Sequence, residues 1–270
     1  MNFRPKGDTR LWDTFFFDKE GEYHLFYISY QGIKAGEELK GWNSFRHAVS
    51  RNLLDWEERE VVASTSDNPE DWDSMTLLTG NIFTHKDKYA ITYGGVSASD
   101  TISKVGLLLS DDLEHWRRAE QNPVLVPAPP YEYVTDDIVD SINFRDVTVK
   151  PMEDGSYEAI FYARLNEGPY SGRGAVGRAV SKDAIHWEMT RPLFHPGTFN
   201  TFEVPDKFSH NQRQYVTFNT SCYGESDLPC ERYPDVHWAI LYAYSGVNDN
   251  EYRFFGGNIL APGDSYVGRI

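Results

Sequence analysis

Apolar and polar residues alternate along most of this chain in short runs, and the runs come in pairs. "LWDTFFF" leads through the turn "DKEGE" into "EYHLFYISY". "LTGNIFTH" leads through "HKDK" into "KYAITYGG", and "FRDVTVKP" through "EDGS" into "SYEAIFYARL". Period-two runs rich in β-branched and aromatic residues, bounded by Gly, Asp, Asn or Lys, predict strands joined as antiparallel hairpins. Three further segments close the pairs: "HAVSRNLLDWEE", "GLLLSDDLEHWRR" and "GRAVSKDAIHWEM". In each, a tryptophan stands six positions after a serine, as in Ser50 and Trp56, Ser110 and Trp116, Ser181 and Trp187. The tryptophans are 60 and 71 residues apart.

Each unit therefore reads as about four antiparallel strands, one blade of a propeller. A fourth unit runs from "FEVPDKFSHNQRQYVTFNTS" through "VHWAILYAYSG" to "EYRFFGGNIL" and lacks the Ser-to-Trp signature; "GDSYVGRI" reads as the start of a fifth. The expected fold is all-β, a five-bladed propeller in one domain over residues 1–270. Its blades cover about 11–62, 76–128, 142–194 and 201–262, with a truncated fifth from 264. The unit is too long for a WD40 repeat and lacks its GH and WD signature. "SDNPEDWDSM" and "YEYVTDDIVDS" read as loops between blades, and no linker or low-complexity segment is visible. The repeated serine and the polar residue after it are expected to fix a turn by side-chain to backbone hydrogen bonds. The repeated tryptophan is expected to pack between neighbouring blades.

Charge narrows the partners. With 41 acidic against 26 basic residues the net charge is -15. That disfavours nucleic acid and anionic membranes, both of which need a basic face. No run approaches the length of a membrane span. The opening "MNFRPKGDTRLWDT" has no apolar core of a secretory signal, so the expected location is cytoplasmic, or secreted if the N-terminus has been trimmed. Cys222 and Cys230 read as free thiols in that setting, with a local disulfide as the alternative. No His/Cys cluster points to zinc, and no cofactor or metal is expected.

Candidate chemistry sits at the heads of the first strands. "LWDTFFF" carries Asp13, "FRDVTV" carries Asp146 and "FEVPDKF" carries Glu203, whereas "LTGNIF" offers Asn81 and no acid. Innermost strands of a propeller line its channel, so acids at their heads are expected to meet at one mouth. A lone buried carboxylate is costly, and three on equivalent strands suggest one shared polar site. Asp73, Asp136, Asp137 and Asp140 read as loop residues. Asp206 is the closest competitor, three residues beyond Glu203.

The chain resembles the five-bladed propeller glycosidases, above all glycoside hydrolase family 32, the invertase and fructanase group, with families 43 and 68 as relatives. "WDTFFFDKEGEYHLFYISY" is similar to that family's opening, "FRHAVSRNLLDWEE" to its "GHAVS…DW" segment, "FRDV" to its Arg-Asp-Pro motif and "FEVPDKF" to its "ECPD" motif. Departures fall beside the acids: Trp-Asp-Thr at the opening, Val147 for proline, Val204 for cysteine, and Phe45-Arg46 for Trp-Gly. The resemblance implies Glu203 as acid/base and Asp13 as nucleophile in a retaining enzyme, or as general base in an inverting one. It implies Asp146 as stabiliser of the oxocarbenium-like charge, with Arg145 bonding the sugar and holding the acids apart. His47, Asn81, Trp12, Trp42 and Phe45 are candidate pocket walls, His47 the foremost. The implied activity is hydrolysis of a furanoside such as a β-fructofuranoside, on an oligosaccharide or simple glycoside. The rivals are an inverting α-L-arabinofuranosidase or β-xylosidase of the family 43 type, and a sugar-binding propeller without turnover.

Overall fold

The structure is a computed structural model, which describes residues 3–30, 42–97, 99–100, 102–132, 143–221, 238–246, 249, 251–255 and 258–261. Secondary structure among these residues is β throughout, apart from one 3-10 turn at Tyr170–Gly172. The chain divides into two compact units, Met1–Val126 and Pro127–Ile270. In the first unit, one sheet holds β1 (Arg10–Lys19), β2 (Glu22–Tyr30), β3 (Ser44–Ser50) and β4 (Glu57–Glu58), in that order. Short β5 (Ala63–Ser64) also pairs with β3. A second sheet holds β6 (Thr76–His85), β7 (Lys88–Val96), β8 (Lys104–Ser110) and β9 (Arg117–Arg118) in order.

The second unit repeats the arrangement. One sheet runs β10 (Arg145–Pro151), β11 (Tyr157–Arg164), β12 (Gly174–Ser181), β13 (Trp187–Met189). The other runs β14 (Glu203–His210), β15 (Arg213–Ser221), β16 (Trp238–Gly246), β17 (Ile259–Ala261). All neighbours are antiparallel, so each sheet contains the four-stranded meander of a propeller blade, to which the first adds short β5. Four blades are present where the hairpin pattern predicts them, and the residues expected to open a fifth lie outside the described residues.

Each unit has its own apolar core. In the first, Phe15, Phe26 and Phe45 of one blade pack with Leu77, Ile91, Tyr93 and Leu108 of the next. In the second, Ile160, Tyr162 and Val176 pack with Phe202, Val216, Phe218 and Leu241, and Phe194 and Phe199 from the connecting segment fill the space between. Aromatic rings bury large areas and prefer tilted contacts, as in the Phe202–Phe218 pair at 4.5 Å and 49°.

The Ser-to-Trp repeat builds one recurrent turn. Ser110 Oγ accepts from the backbone N–H of Asp112 and Leu113, and Asp112 Oδ1 accepts from Glu114 and His115 N–H. Trp116 Nε1–H then donates to Leu113 carbonyl at 3.0 Å. The copies at Ser50 and Ser181 close in the same way, with Trp56 Nε1–H on Leu53 and Trp187 Nε1–H on Ala184. The residue whose carbonyl accepts the indole has positive φ in all three copies, 62° at Leu53, 72° at Leu113 and 60° at Ala184. The tryptophans pack differently. Trp116 reaches the neighbouring blade and stands edge-on to Phe26 at 5.6 Å. Trp56 stays with its own blade and the N-terminal segment, against Phe16 and Phe3.

One irregularity recurs at the head of every first strand. The ladder slips between Leu11 and Thr14, Leu78 and Gly80, Arg145 and Thr148, and Glu203 and Asp206. A β-bulge bends the strand and re-aims its side chains. In β6 the slip brings backbones so close that a Cβ on Gly80 would lie 1.6 Å from the carbonyl oxygen of Thr92, so only glycine fits. In the other three blades the bulge carries an acid, or directly follows one.

Candidate active site

In the second unit β10 and β14 lie side by side, stitched together by bonds between residues 56 to 58 apart. Arg145 donates from Nη2 to Glu203 Oε1. Asp146 Oδ2 accepts the backbone N–H of Val204 at 2.9 Å. Thr148 Oγ1–H donates to the Pro205 carbonyl at 2.9 Å. Lys150 Nζ pairs with Asp206 Oδ1 at 2.9 Å and also donates to the Lys207 carbonyl.

The bulges explain how this arrangement forms. Asp146 and Val147 together oppose Phe161, and Val204 and Pro205 oppose Phe218. The first bulge residue in each case is left-handed, with φ 58° at Asp146 and 48° at Val204. A β-branched residue rarely adopts that conformation, and the Asp146 carboxylate holds Val204 there by capturing its N–H.

The result is a compact charged group. Asp146 is 4% exposed, and the side chains of Arg145 and Glu203 are 18% and 12% exposed. Arg145 Nε also lies 3.7 Å from Asp146 Oδ2, so one guanidinium spans both carboxylates and offsets their repulsion. Its face rests on the Tyr162 ring at 4.6 Å. Further along, Glu158 takes Arg178 Nε and Lys207 Nζ, each at 2.7 Å. Burial alone would raise the Glu158 carboxyl, but the hydrogen bonds from Lys207 and Arg178, with their charges, outweigh it and hold it below its ordinary range.

Asp13 belongs to the first unit. Trp12 and Asp13 together oppose Ile28 in the bulge of β1, and Asp13 is 9% exposed. The three acids thus occupy corresponding strands but not corresponding registers. Asp13 is the second bulge residue, Asp146 the first, and Glu203 the pair just before the bulge. Beside Asp13, Trp12 is 47% exposed and stacks on Trp42 at 5.5 Å and 19°, which makes an open aromatic surface. Trp42 is anchored to β6, where its N–H meets Thr76 Oγ1 and its carbonyl accepts Leu77 N–H.

Two of the expected pocket walls are fully buried. Phe45 is 0% exposed and lies edge-on to Phe15 and Tyr93, inside the core. Its place on β3, a middle strand of the sheet, points it inward. His47 is 1% exposed, stacks on Phe26 at 4.5 Å, and shares a 2.9 Å hydrogen bond with His24. Asn81 is buried on β6, where it accepts from Thr92 Oγ1 and donates to the Ile82 carbonyl. Asp73 lies in a loop, as expected, yet is 2% exposed and accepts from Tyr93 and from two nitrogens of Arg118. Asp206 is likewise engaged, by Lys150. Asp136, Asp137, Asp140, Cys222 and Cys230 lie outside the described residues. Among the described residues no cluster of His, Cys, Asp and Glu is arranged to hold a metal.

Tyr162, Thr148 and Lys150 escaped the sequence reading. Only Lys150 has a signal in the repeat: aligning "FRDVTVK" on "FEVPDK" brings Lys150 within one place of Lys207.

Arg145 thus bridges Asp146 and Glu203 on the bulged first strands of two blades. The sequence matches the glycosyl hydrolases family 32 N-terminal domain over residues 14–255, and the chain belongs to that family. The match begins at the residue after Asp13. An Arabidopsis thaliana β-fructofuranosidase, the insoluble isoenzyme CWINV5, is 29% identical over 203 residues, covering 70% of this chain and 32% of that protein. The chain thus spans about a third of the length of that curated relative. The solved Bombyx mori GH32 β-fructofuranosidase superposes with TM-score 0.68 at 21% identity, covering 90% of this chain and 48% of that one. A variant of the same silkworm protein in complex with sucrose superposes with TM-score 0.66 at 21% identity, covering 88% and 46%.

Proposed function

We propose that this chain carries the acids of an enzyme that hydrolyses a furanoside, a β-fructofuranoside such as sucrose. The observation that carries the reading is the Glu203–Arg145–Asp146 group across β10 and β14, in a chain of family 32. Glu203 is the acid/base. It gives a proton to the glycosidic oxygen as that bond breaks, and takes one from water when the second step releases the sugar. Asp13 attacks the anomeric carbon from the other face in a retaining enzyme, or activates water there in an inverting one. Asp146 stabilises the positive charge that develops on the ring, at a place where little water competes. The Trp12–Trp42 stack offers an aromatic face to the apolar side of a sugar ring.

The family match favours a fructofuranoside over the arabinofuranosides and xylosides of the family 43 rival. A screen of sucrose, inulin-type fructan and nitrophenyl furanosides, with the product anomer followed by NMR, tests the reading. Release of fructose supports it. Sugar binding without any turnover would favour a binding propeller, and turnover of an arabinofuranoside alone would favour the rival.

A further inference from the structure

Tyr162 lies on β11, directly opposite Arg145 in the ladder. It is 1% exposed and belongs to the core of the second unit. Two features separate it from an ordinary core aromatic. Its ring face lies under the Arg145 guanidinium, 4.6 Å from the centroid. Its hydroxyl donates to Asn143 Oδ1 at 2.8 Å and reaches the Asn200 carbonyl at 3.3 Å. Asn143 stands two residues before Arg145, and Asn200 three before Glu203. One side chain therefore touches the approach to each of the two strands and also the cation between their carboxylates. We propose that Tyr162 is a positioning residue: its ring seats Arg145 against Glu203, and its hydroxyl ties the heads of β10 and β14 at the separation the acids need.

Physical chemistry supports each half. A guanidinium over a desolvated aromatic face is attracted by the ring quadrupole and is held in one plane, which fixes the direction of its fork. A buried phenol donates a hydrogen bond to some partner. Here the Asn143 and Asn200 acceptors lie on segments that lead into bulges, so these bonds bear on where those strands begin. Among the described residues, Arg145 and, beyond it, Asp146 from β10 face Glu203. From β15, Asn219 Nδ2 lies 3.3 Å from the Glu203 carbonyl, and on its own strand Asp206 is paired with Lys150. Acid catalysis depends on placement, and a shift of about 1 Å in a catalytic group can cost roughly 100-fold.

The inference rests on the reading of Glu203 as the acid, and the experiment separates the two. Tyr162→Phe keeps the ring and removes the hydroxyl; Tyr162→Leu removes both. Both are compared with Glu203→Gln on sucrose, a poor leaving group, and on a nitrophenyl β-fructofuranoside, which needs little proton donation. Melting temperatures report folding. Tyr162→Phe is expected to lower kcat on sucrose by about tenfold with KM nearly unchanged, and to leave the activated substrate within about twofold. Tyr162→Leu is expected to show a larger gap between the two substrates. If Tyr162→Leu does not fold, Tyr162→Phe alone decides. Equal losses on both substrates, or a fall in melting temperature with no change in kcat, would reduce Tyr162 to a packing residue. If Glu203→Gln itself shows no gap between the substrates, the reading of Glu203 fails, and the inference fails with it.

Discussion

The buried histidine pair makes the stability of the first unit depend on pH in a way that can be calculated. His47 and His24 are 1% and 2% exposed, share a hydrogen bond at 2.9 Å, and stack at 5.0 Å between centroids. Burial pushes His47 down to about 3, and the positive charges of His24 and Arg59 push the same way. His24 is also lowered, first by burial, against which Glu22 acts. In the unfolded chain an imidazole titrates near 6.5. Between pH 6.5 and 3 the unfolded state therefore binds the extra proton and the folded state does not. Stability rises with pH through that window and is lost as pH falls. At 1.36 kcal/mol per pH unit, His47 alone removes about 2 kcal/mol between pH 6.5 and 4.5. That is a large part of a typical domain stability of about 5–15 kcal/mol.

Urea unfolding followed by tryptophan fluorescence at the two pH values, in the parent and in His47→Gln, isolates this contribution from that of the carboxylates. Glutamine can still bond His24 but cannot take a proton. The variant should lose about 2 kcal/mol less than the parent on acidification. An identical loss in both proteins would show that His47 is protonated in the folded state, and the account of its burial would be wrong.

Two further predictions concern the frame of the first unit. Leu53 adopts φ 62° and is 37% exposed, so Leu53→Gly should relieve a left-handed strain of about 1–2 kcal/mol, set against about 0.5–1 kcal/mol of extra unfolded-state entropy. A melting temperature raised by roughly 2–4 °C is the expected result, and a lowered one would mean that the leucine side chain packs more than it strains. Arg118→Ala leaves the Asp73 carboxylate buried with Tyr93 as its remaining side-chain partner; because Arg118 is 38% exposed, the cost should be about 2–3 kcal/mol rather than the full value of a buried pair. A midpoint unchanged in urea would show that water replaces the guanidinium.

Much of the fold was legible because hairpins announce themselves locally. Alternation, turn residues and the Ser-to-Trp spacing are all short-range signals, and they located the four blades and the hydrogen-bonded turn at Ser50, Ser110 and Ser181. The side-chain environments were less legible. Phe45 and His47 stand in a motif-like segment, yet β3 is a middle strand and turns both of them into the core. Asp73 sits in a polar loop but is pulled inward by Arg118 and Tyr93, 45 and 20 residues away. Asp13, Asp146 and Glu203 stand at the heads of first strands as the pattern predicts, whereas their different registers at the bulges were not legible, because one extra residue in so short a run cannot be told from an ordinary break in the alternation. Arg145 was expected beside a sugar; its contacts with Glu203 and Tyr162 depend on strands that pair only after folding.

The central claim is that Glu203 donates the proton and Asp13 serves the opposite face of the sugar. It is tested most directly by kcat for Glu203→Gln and Asp13→Asn on β-fructofuranosides graded by leaving group. Glu203→Gln should lose about 10²–10⁴-fold on sucrose and far less on a nitrophenyl fructofuranoside, while Asp13→Asn should lose heavily on both. Equal losses for Glu203→Gln across all leaving groups, or full activity in Asp13→Asn, would contradict the assignment.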